Sequence, residues 1–225
     1  MYSNFRKRIF IFLALFSSQT WAAVIDNTFL CNHFYVGGML GVAGLMDRES
    51  TNNPVRDVHY LSAAGAIGGA LIGYDFQLQN QWKLGLEAFA NATSINISDN
   101  QNYAPQVSYT VNMRYNFGVR VLPAYEFTPD TAGHLVLGYS NAGFKINDNG
   151  NYGIINETFF AGGFQTGLGM ETFLTKHVSL RSDVLYTIYS SQTSNGVTTS
   201  SPPTNQAYHN NLSSLEAELS IIYNI

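Results

Sequence analysis

Charge is what this sequence is shortest of. Asp, Glu, Lys and Arg make up 12% of its 225 residues, about half the ~25% of an ordinary soluble domain. There is one cysteine, Cys31, so an internal disulfide is excluded. Past residue 22 no apolar run approaches the roughly 18–20 residues of a membrane-crossing helix, which excludes a helical span. No phosphate-cradling loop and no metal-spaced cluster of His, Cys, Asp and Glu is present, so neither cofactor nor metal is expected. Basic residues are scarce, 11 against 15 acidic. Without a basic patch to meet phosphates, nucleic acid is not an expected partner.

The sequence is rich in aromatics, with 14 Tyr and 15 Phe, and has 20 Gly. Few charges with many aromatics suit a surface that meets something other than water. The N-terminus names the compartment. Arg6, Lys7 and Arg8 precede the apolar run "IFIFLALF", and Thr20 and Ala22 place small residues at −3 and −1. This is the layout of a secretory signal peptide over 1–22, cut after Ala22. Its eight apolar residues fall far short of the ~20 a membrane anchor needs. Cleavage leaves eight basic and fifteen acidic residues, a net charge of −7. Cys31 follows "TFL", without the small residue that precedes a lipidated cysteine, so an idle or structural thiol is expected.

The stretch "VSYTVNMRYNFGVRVLPAYEF" at 107–127 carries the fold. Read every second residue, it gives Val, Tyr, Val, Met, Tyr, Phe, Val, Val, Pro, Tyr and Phe. The other set includes Ser, Thr, Asn, Arg114, Gly, Arg120 and Glu126. Such alternation marks a strand with one apolar and one polar face, much longer than the usual 5–6 residues or so. Similar runs cover 33–45, 62–76, 82–95, 134–147, 159–174, 178–190 and 212–225, giving eight strands. Connections alternate in length without exception. The segments 46–61, 96–106, 148–158 and 191–211 are long; 77–81, 128–133 and 175–177 are short. An even strand number with short turns on one side and long loops on the other is the signature of a transmembrane barrel.

Periodicity alone does not say which face meets water. In a soluble lipocalin-like barrel the apolar set would point inward; in a membrane barrel it faces lipid. Three observations favour the membrane. The polar set is Asn, Gly, Ser and Thr with isolated charges, not the Lys/Glu-rich face of a soluble protein. Tyr74, Phe76, Trp82, Tyr125 and Phe127 gather beside the short turns, as in an interfacial girdle. The signal peptide exports the chain. A closed barrel also pairs every backbone group, as lipid demands. The expectation is an all-β, closed, antiparallel eight-stranded up-and-down transmembrane barrel over 23–225, in the outer membrane of a Gram-negative bacterium.

Several segments resemble the eight-stranded barrels of the outer membrane protein A and opacity protein group. "FYVGGMLGVAG" is similar to their first strand, "IGYDF" to the end of their second and "LGYSNAGFK" to their fifth. "GFQTGLGMETFLTKHVSLRSDVLYT" is similar to their sixth and seventh strands with the turn between. "LEAELSIIYNI" resembles their C-terminal signal for the barrel-assembly machinery, carried by Tyr223 and Ile225, though the family usually ends in Phe or Trp. The resemblance implies architecture and a setting of outer membrane lipid and lipopolysaccharide, not an activity. The family's periplasmic peptidoglycan-binding domain is not implied for this sequence.

On the polar face the expected lumen residues are Asp75, Lys83, Glu87, Arg114, Arg120, Glu126, Glu171, Arg181, Asp183, Glu216 and Glu218. Four basic and seven acidic side chains can interlock as a plug, since eight strands leave an interior just wide enough to fill. Lining a narrow ion path is the competing role. His177 and Ser179 have the His-x-Ser spacing of the lipid A 3-O-deacylase family, but they sit at a short turn, whereas that family works near the outer leaflet. A turn histidine followed by a strand serine is therefore the simpler reading. The long loops remain as candidate carriers of host or surface ligands. The expected role is non-enzymatic, structural or adhesin-like; a small channel and a lipid-modifying enzyme are the alternatives.

Overall fold

The computed structural model describes residues 32–51, 58–78, 81–101, 107–150, 153–197 and 205–225. The expected signal region and Cys31 lie outside these. The strand segments are β1 (His33–Thr51), β2 (Val58–Gln77), β3 (Trp82–Gln101), β4 (Val107–Thr128), β5 (Thr131–Gly150), β6 (Gly153–Phe173), β7 (Val178–Tyr189), β8 (Gln192–Val197) and β9 (Asn205–Asn224). Each pairs antiparallel with its neighbour, and β1 pairs with β9 to close the barrel. β7 and β8 pair in succession along β9. They form one stave, broken at Ser190 and Ser191, where Ile188↔Ser213 steps to Gln192↔Asn210 with one residue gained. The barrel therefore has eight staves.

At the short-turn end the connections are tight. Residues 129–130 alone link β4 to β5, and Thr128 pairs with Thr131. The other end differs from the sequence reading. Most of 46–61, 96–106, 148–158 and 191–211 is strand: β1 runs to Thr51, β2 starts at Val58, β3 runs to Gln101, and β5 and β6 meet around 151–152. Asn, Asp and Ser lower strand propensity, which is why those segments read as loops. Continuous pairing with a neighbour outweighs that weak local preference. The remaining connections, 52–57, 102–106, 151–152 and 198–204, lie outside the described residues.

Strands of 20 residues, at ~3.3 Å per residue and a ~40° tilt, rise roughly 50 Å. That is about twice the ~25 Å apolar band of an outer membrane barrel, and the surfaces divide accordingly. Near the short turns the exterior is apolar: Trp82, Leu86, Val119, Phe117, Leu137, Phe164, Leu168, Leu219 and Tyr223 are all exposed. Farther along the same strands it becomes polar, with Ser94, Asn96 and Ser98 on β3 and Asn156 and Thr158 on β6. The interior changes in the opposite sense. Charged groups dominate its short-turn part, set between two small apolar clusters, Tyr35, Met39, Leu71, Phe89 and Ile222 in one and Leu122, Val136 and Leu185 in the other. The far part holds a continuous apolar cluster that includes Leu45, Ile67, Ile95, Ile97, Val111, Met113, Phe144, Ile146, Tyr189 and Leu212. The lower storey is inside-out, as lipid requires; the upper storey has the inside-apolar arrangement of a water-soluble barrel.

The sequence reading placed Val111, Met113, Tyr115 and Phe117 on one face. The structure separates them: Val111 and Met113 are buried, Tyr115 and Phe117 exposed. The cause is a β-bulge. On β5 Met113 and Tyr115 oppose the consecutive residues Phe144 and Gly143, leaving Arg114 without an opposite partner. One extra residue moves all later side chains to the other face. The bulge compensates the change from inside-out to inside-apolar along β4. It also overturns the lumen assignment of Arg114, which is exposed on the outer surface.

The storey boundary makes a measurable difference. Val119, 60% exposed at the middle of the apolar band, replaced by Arg is expected to cost about 2–4 kcal/mol of stability in lipid vesicles, whereas Asn96→Arg, beyond the band, should cost about 0–1 kcal/mol. Urea unfolding of both variants measures this. Equal costs would place the band elsewhere.

Candidate functional site in the lumen and at the outer rim

The lumen is organised by cross-strand register. Glu87 on β3 sits directly opposite Arg120 on β4, and Glu171 on β6 opposite Arg181 on β7. Both pairs point inward because they share strand parity with the buried set. The links between the pairs cross the barrel. Arg181 Nη1 reaches Glu87 Oε2 at 2.5 Å, and Arg120 Nη1 lies 3.4 Å from Glu87 Oε1 and 3.2 Å from Glu218 Oε2. Glu87 thus joins two guanidinium groups from opposite sides. Arg120 Nε donates to Gln165 Oε1 at 2.7 Å, and Gln165 Nε2 donates to Thr187 at 3.1 Å. The Arg120 guanidinium stacks 3.8 Å from the centre of the Phe89 ring, an apolar cover that suits a weakly hydrated planar cation.

Toward the short turns, Lys83 Nζ lies 3.4 Å from Asp75 Oδ2, and His33 Nε2 is 3.0 Å from Asn224 Oδ1. Glu126 is buried beside Gln77 and Lys83. His134 Nε2 and Asp183 Oδ1 are 2.7 Å apart, and Ser179 donates to Glu171 at 2.5 Å. Toward the apolar storey, Glu216 accepts from Ser214 at 2.8 Å and from the Asn116 amide at 3.4 Å, and Glu218 accepts from Asn91 at 3.3 Å. Buried charges persist only when paired and hydrogen-bonded, and these three layers meet that condition for most of them.

Of the eleven lumen residues expected from sequence, ten are buried inside and Arg114 is not. The sequence reading placed Asn91 and Asn116 on the polar face without giving them a role, and it missed Tyr35, His33, His134 and Gln165. Strand parity was the available signal: Gln165 lies six residues from Glu171, hence on the same face. Tyr35 donates to Glu87 at 3.2 Å. A recess of about 10 Å³, bordered by Asp75, Lys83, His134, Glu171 and Arg181, is about the smallest space that admits one water.

The His-x-Ser pair does not assemble. His177 turns its Nδ1 to the Asn224 carbonyl at 3.2 Å and stacks on Tyr223, while Ser179 is committed to Glu171. Among the described residues no group of three or more His, Cys, Asp and Glu is placed to hold a metal.

On the exterior beside the short turns, Trp82, Tyr125 and Phe127 form one edge-on ladder, with centroids 5.1 and 5.5 Å apart. Phe34, Tyr74 and Phe76 form a second at 4.6 and 4.7 Å. Phe34 is an addition to the five girdle residues read from sequence. Tyr223 and Ile225 are both exposed on the same outer face.

A family model described as outer membrane protein beta-barrel domain matches residues 9–214. Solved structures with the same fold include the outer membrane protease OmpT from Escherichia coli, at 8% identity over 89% of this chain and 100% of that one, TM-score 0.51. The attachment invasion locus protein Ail of Yersinia pestis matches at 10% identity over 86% and 99%, TM-score 0.45. Neisserial surface protein A matches at 12% over 84% and 96%, TM-score 0.47. No curated protein matches the sequence.

Proposed function

Since the chain belongs to the outer membrane protein beta-barrel domain family, we propose that it is a closed, non-enzymatic barrel whose work is done at its extracellular end, where it meets surface ligands, with the lumen serving as a structural plug. The observation that carries this reading is the double block of the interior. The Arg120–Glu87–Arg181 bridge spans the lumen, and the apolar cluster around Phe144 lies above it. A hydrated ion meets buried ion pairs in the first layer and mainly apolar side chains in the second, with the Asp47 carboxylate buried two residues beyond Leu45. The separation of His177 from Ser179 supports a role without acyl chemistry. In this reading residues 1–22 direct export, Tyr223 and Ile225 address the assembly machinery, and the short turns face the periplasm.

Two measurements test it. Purified protein in planar bilayers is expected to give no steady current; a stable open level with defined ion selectivity would replace this reading with a channel. Asn96→Cys on intact cells is expected to react with a membrane-impermeant maleimide, and Lys176→Cys, in the turn at 174–177, to stay unlabelled. The reverse pattern would invert the orientation.

A further inference from the structure

We propose that Arg114 and Lys145 form a binding site for the phosphate of the outer-leaflet glycolipid. The site rests on the orientation given above. Ala92, Tyr115, Gly143 and Phe160 are consecutive partners across β3, β4, β5 and β6, and Asn96, Asn112, Lys145 and Thr158 form the next outward row. The first row is the last apolar one on this side of the barrel; the second is wholly polar. Arg114 stands between them, released to the exterior by the bulge. Lys145 is its diagonal neighbour on β5. Neither forms an ion pair among the described residues.

The bulge is built rather than incidental. A side chain of β3 takes up a backbone group beside it, the Thr93 hydroxyl donating to the Met113 carbonyl, and on the other side of β3 Ser94 Oγ accepts from the Ala66 amide of β2 at 2.9 Å. Without it, residue 114 would point into the apolar upper core. Just below, the Tyr115 and Phe160 rings lie 5.8 Å apart on the lipid face. Cations above aromatics at the level where acyl chains end match a lipid whose phosphates sit on the sugars that carry those chains. Arg supplies a planar fork for phosphate oxygens, and Lys a second point charge.

The test uses the full barrel in detergent with purified lipid A in bisphosphorylated and dephosphorylated forms, bound lipid being counted by native mass spectrometry. Wild type is expected to prefer the bisphosphorylated form. The Arg114→Gln, Lys145→Gln double variant should bind it about tenfold or more weakly, with Arg114→Lys in between. Arg114 is exposed and Lys145 half-buried on the outer face, so folding should persist, checked by the mobility shift between heated and unheated samples. Lys176→Gln at the opposite end should bind as wild type does. Equal binding by the double variant and wild type overturns the site but not the orientation. Loss with Lys176→Gln and not with the double variant overturns the orientation itself. Wild type that ignores dephosphorylation overturns the phosphate, and displacement by millimolar inorganic phosphate overturns the lipid in favour of the free anion.

Discussion

Arg120→Ala is expected to lower the unfolding free energy by about 3–5 kcal/mol without opening a steady conductance. The guanidinium is 2% exposed and serves Glu87, Glu218 and Gln165 together. Among the described residues, its removal leaves Glu218 with no cation in ion-pair range and Glu87 with Arg181 alone. The Phe89 ring loses its stacked partner as well. Burying an uncompensated carboxylate costs more than the pair contributed. Adding Glu218→Gln to Arg120→Ala should therefore recover part of the loss, since the orphaned charge is gone. Urea unfolding of the single and double variants in lipid vesicles measures both, with planar-bilayer recordings beside them. A single variant as stable as wild type but altered in ion selectivity would mean that Arg120 stands beside an open water path.

Phe144→Ala is expected to cost about 3–5 kcal/mol, although Phe144 lies beyond the membrane band. The side chain is 0% exposed, stacks on Phe159 at 5.6 Å and meets Tyr189 edge-on at 5.3 Å. In the inside-out storey most large apolar residues face lipid, and only two small clusters are buried inside. In the upper storey the hydrophobic effect works as in a soluble domain, because the exterior is polar and the interior is lined mainly by apolar side chains. Truncation there leaves a cavity that the closed ladder cannot collapse around. Phe144→Leu, which keeps most of the volume, should cost no more than about 1.5 kcal/mol. If Phe144→Ala proves nearly neutral, the upper storey is loosely packed, and the apolar cluster is no barrier to ions.

The inward position of the charges was legible in the sequence because strand parity is local. Glu87 and Lys83, Arg181 and Asp183, Glu216 and Glu218 each stand two or four residues apart, and a period of two fixes their common face. The same rule failed for Arg114. A bulge changes parity, and its position depends on pairing with β3 and β5 at once. The hydrophobic pattern of β4 reads as one unbroken alternation across the bulge, because the interior turns apolar just where the faces exchange. Two changes cancel in the sequence and separate only in space.

Read alone, the sequence determined the strand number, the inverted faces of the membrane storey and the girdle beside the short turns. Each rests on composition or on period-two order within one segment. Tertiary structure decided the rest: the extension of strands through Asn- and Asp-rich segments, the apolar upper core, the bulge at Arg114 and the bridging of Arg120 and Arg181 by Glu87. β3 and β7 are not neighbours in the sheet, so no register along a strand pair places Glu87 within 2.5 Å of Arg181. Closure does, by bringing opposite walls of an eight-stave barrel within side-chain reach.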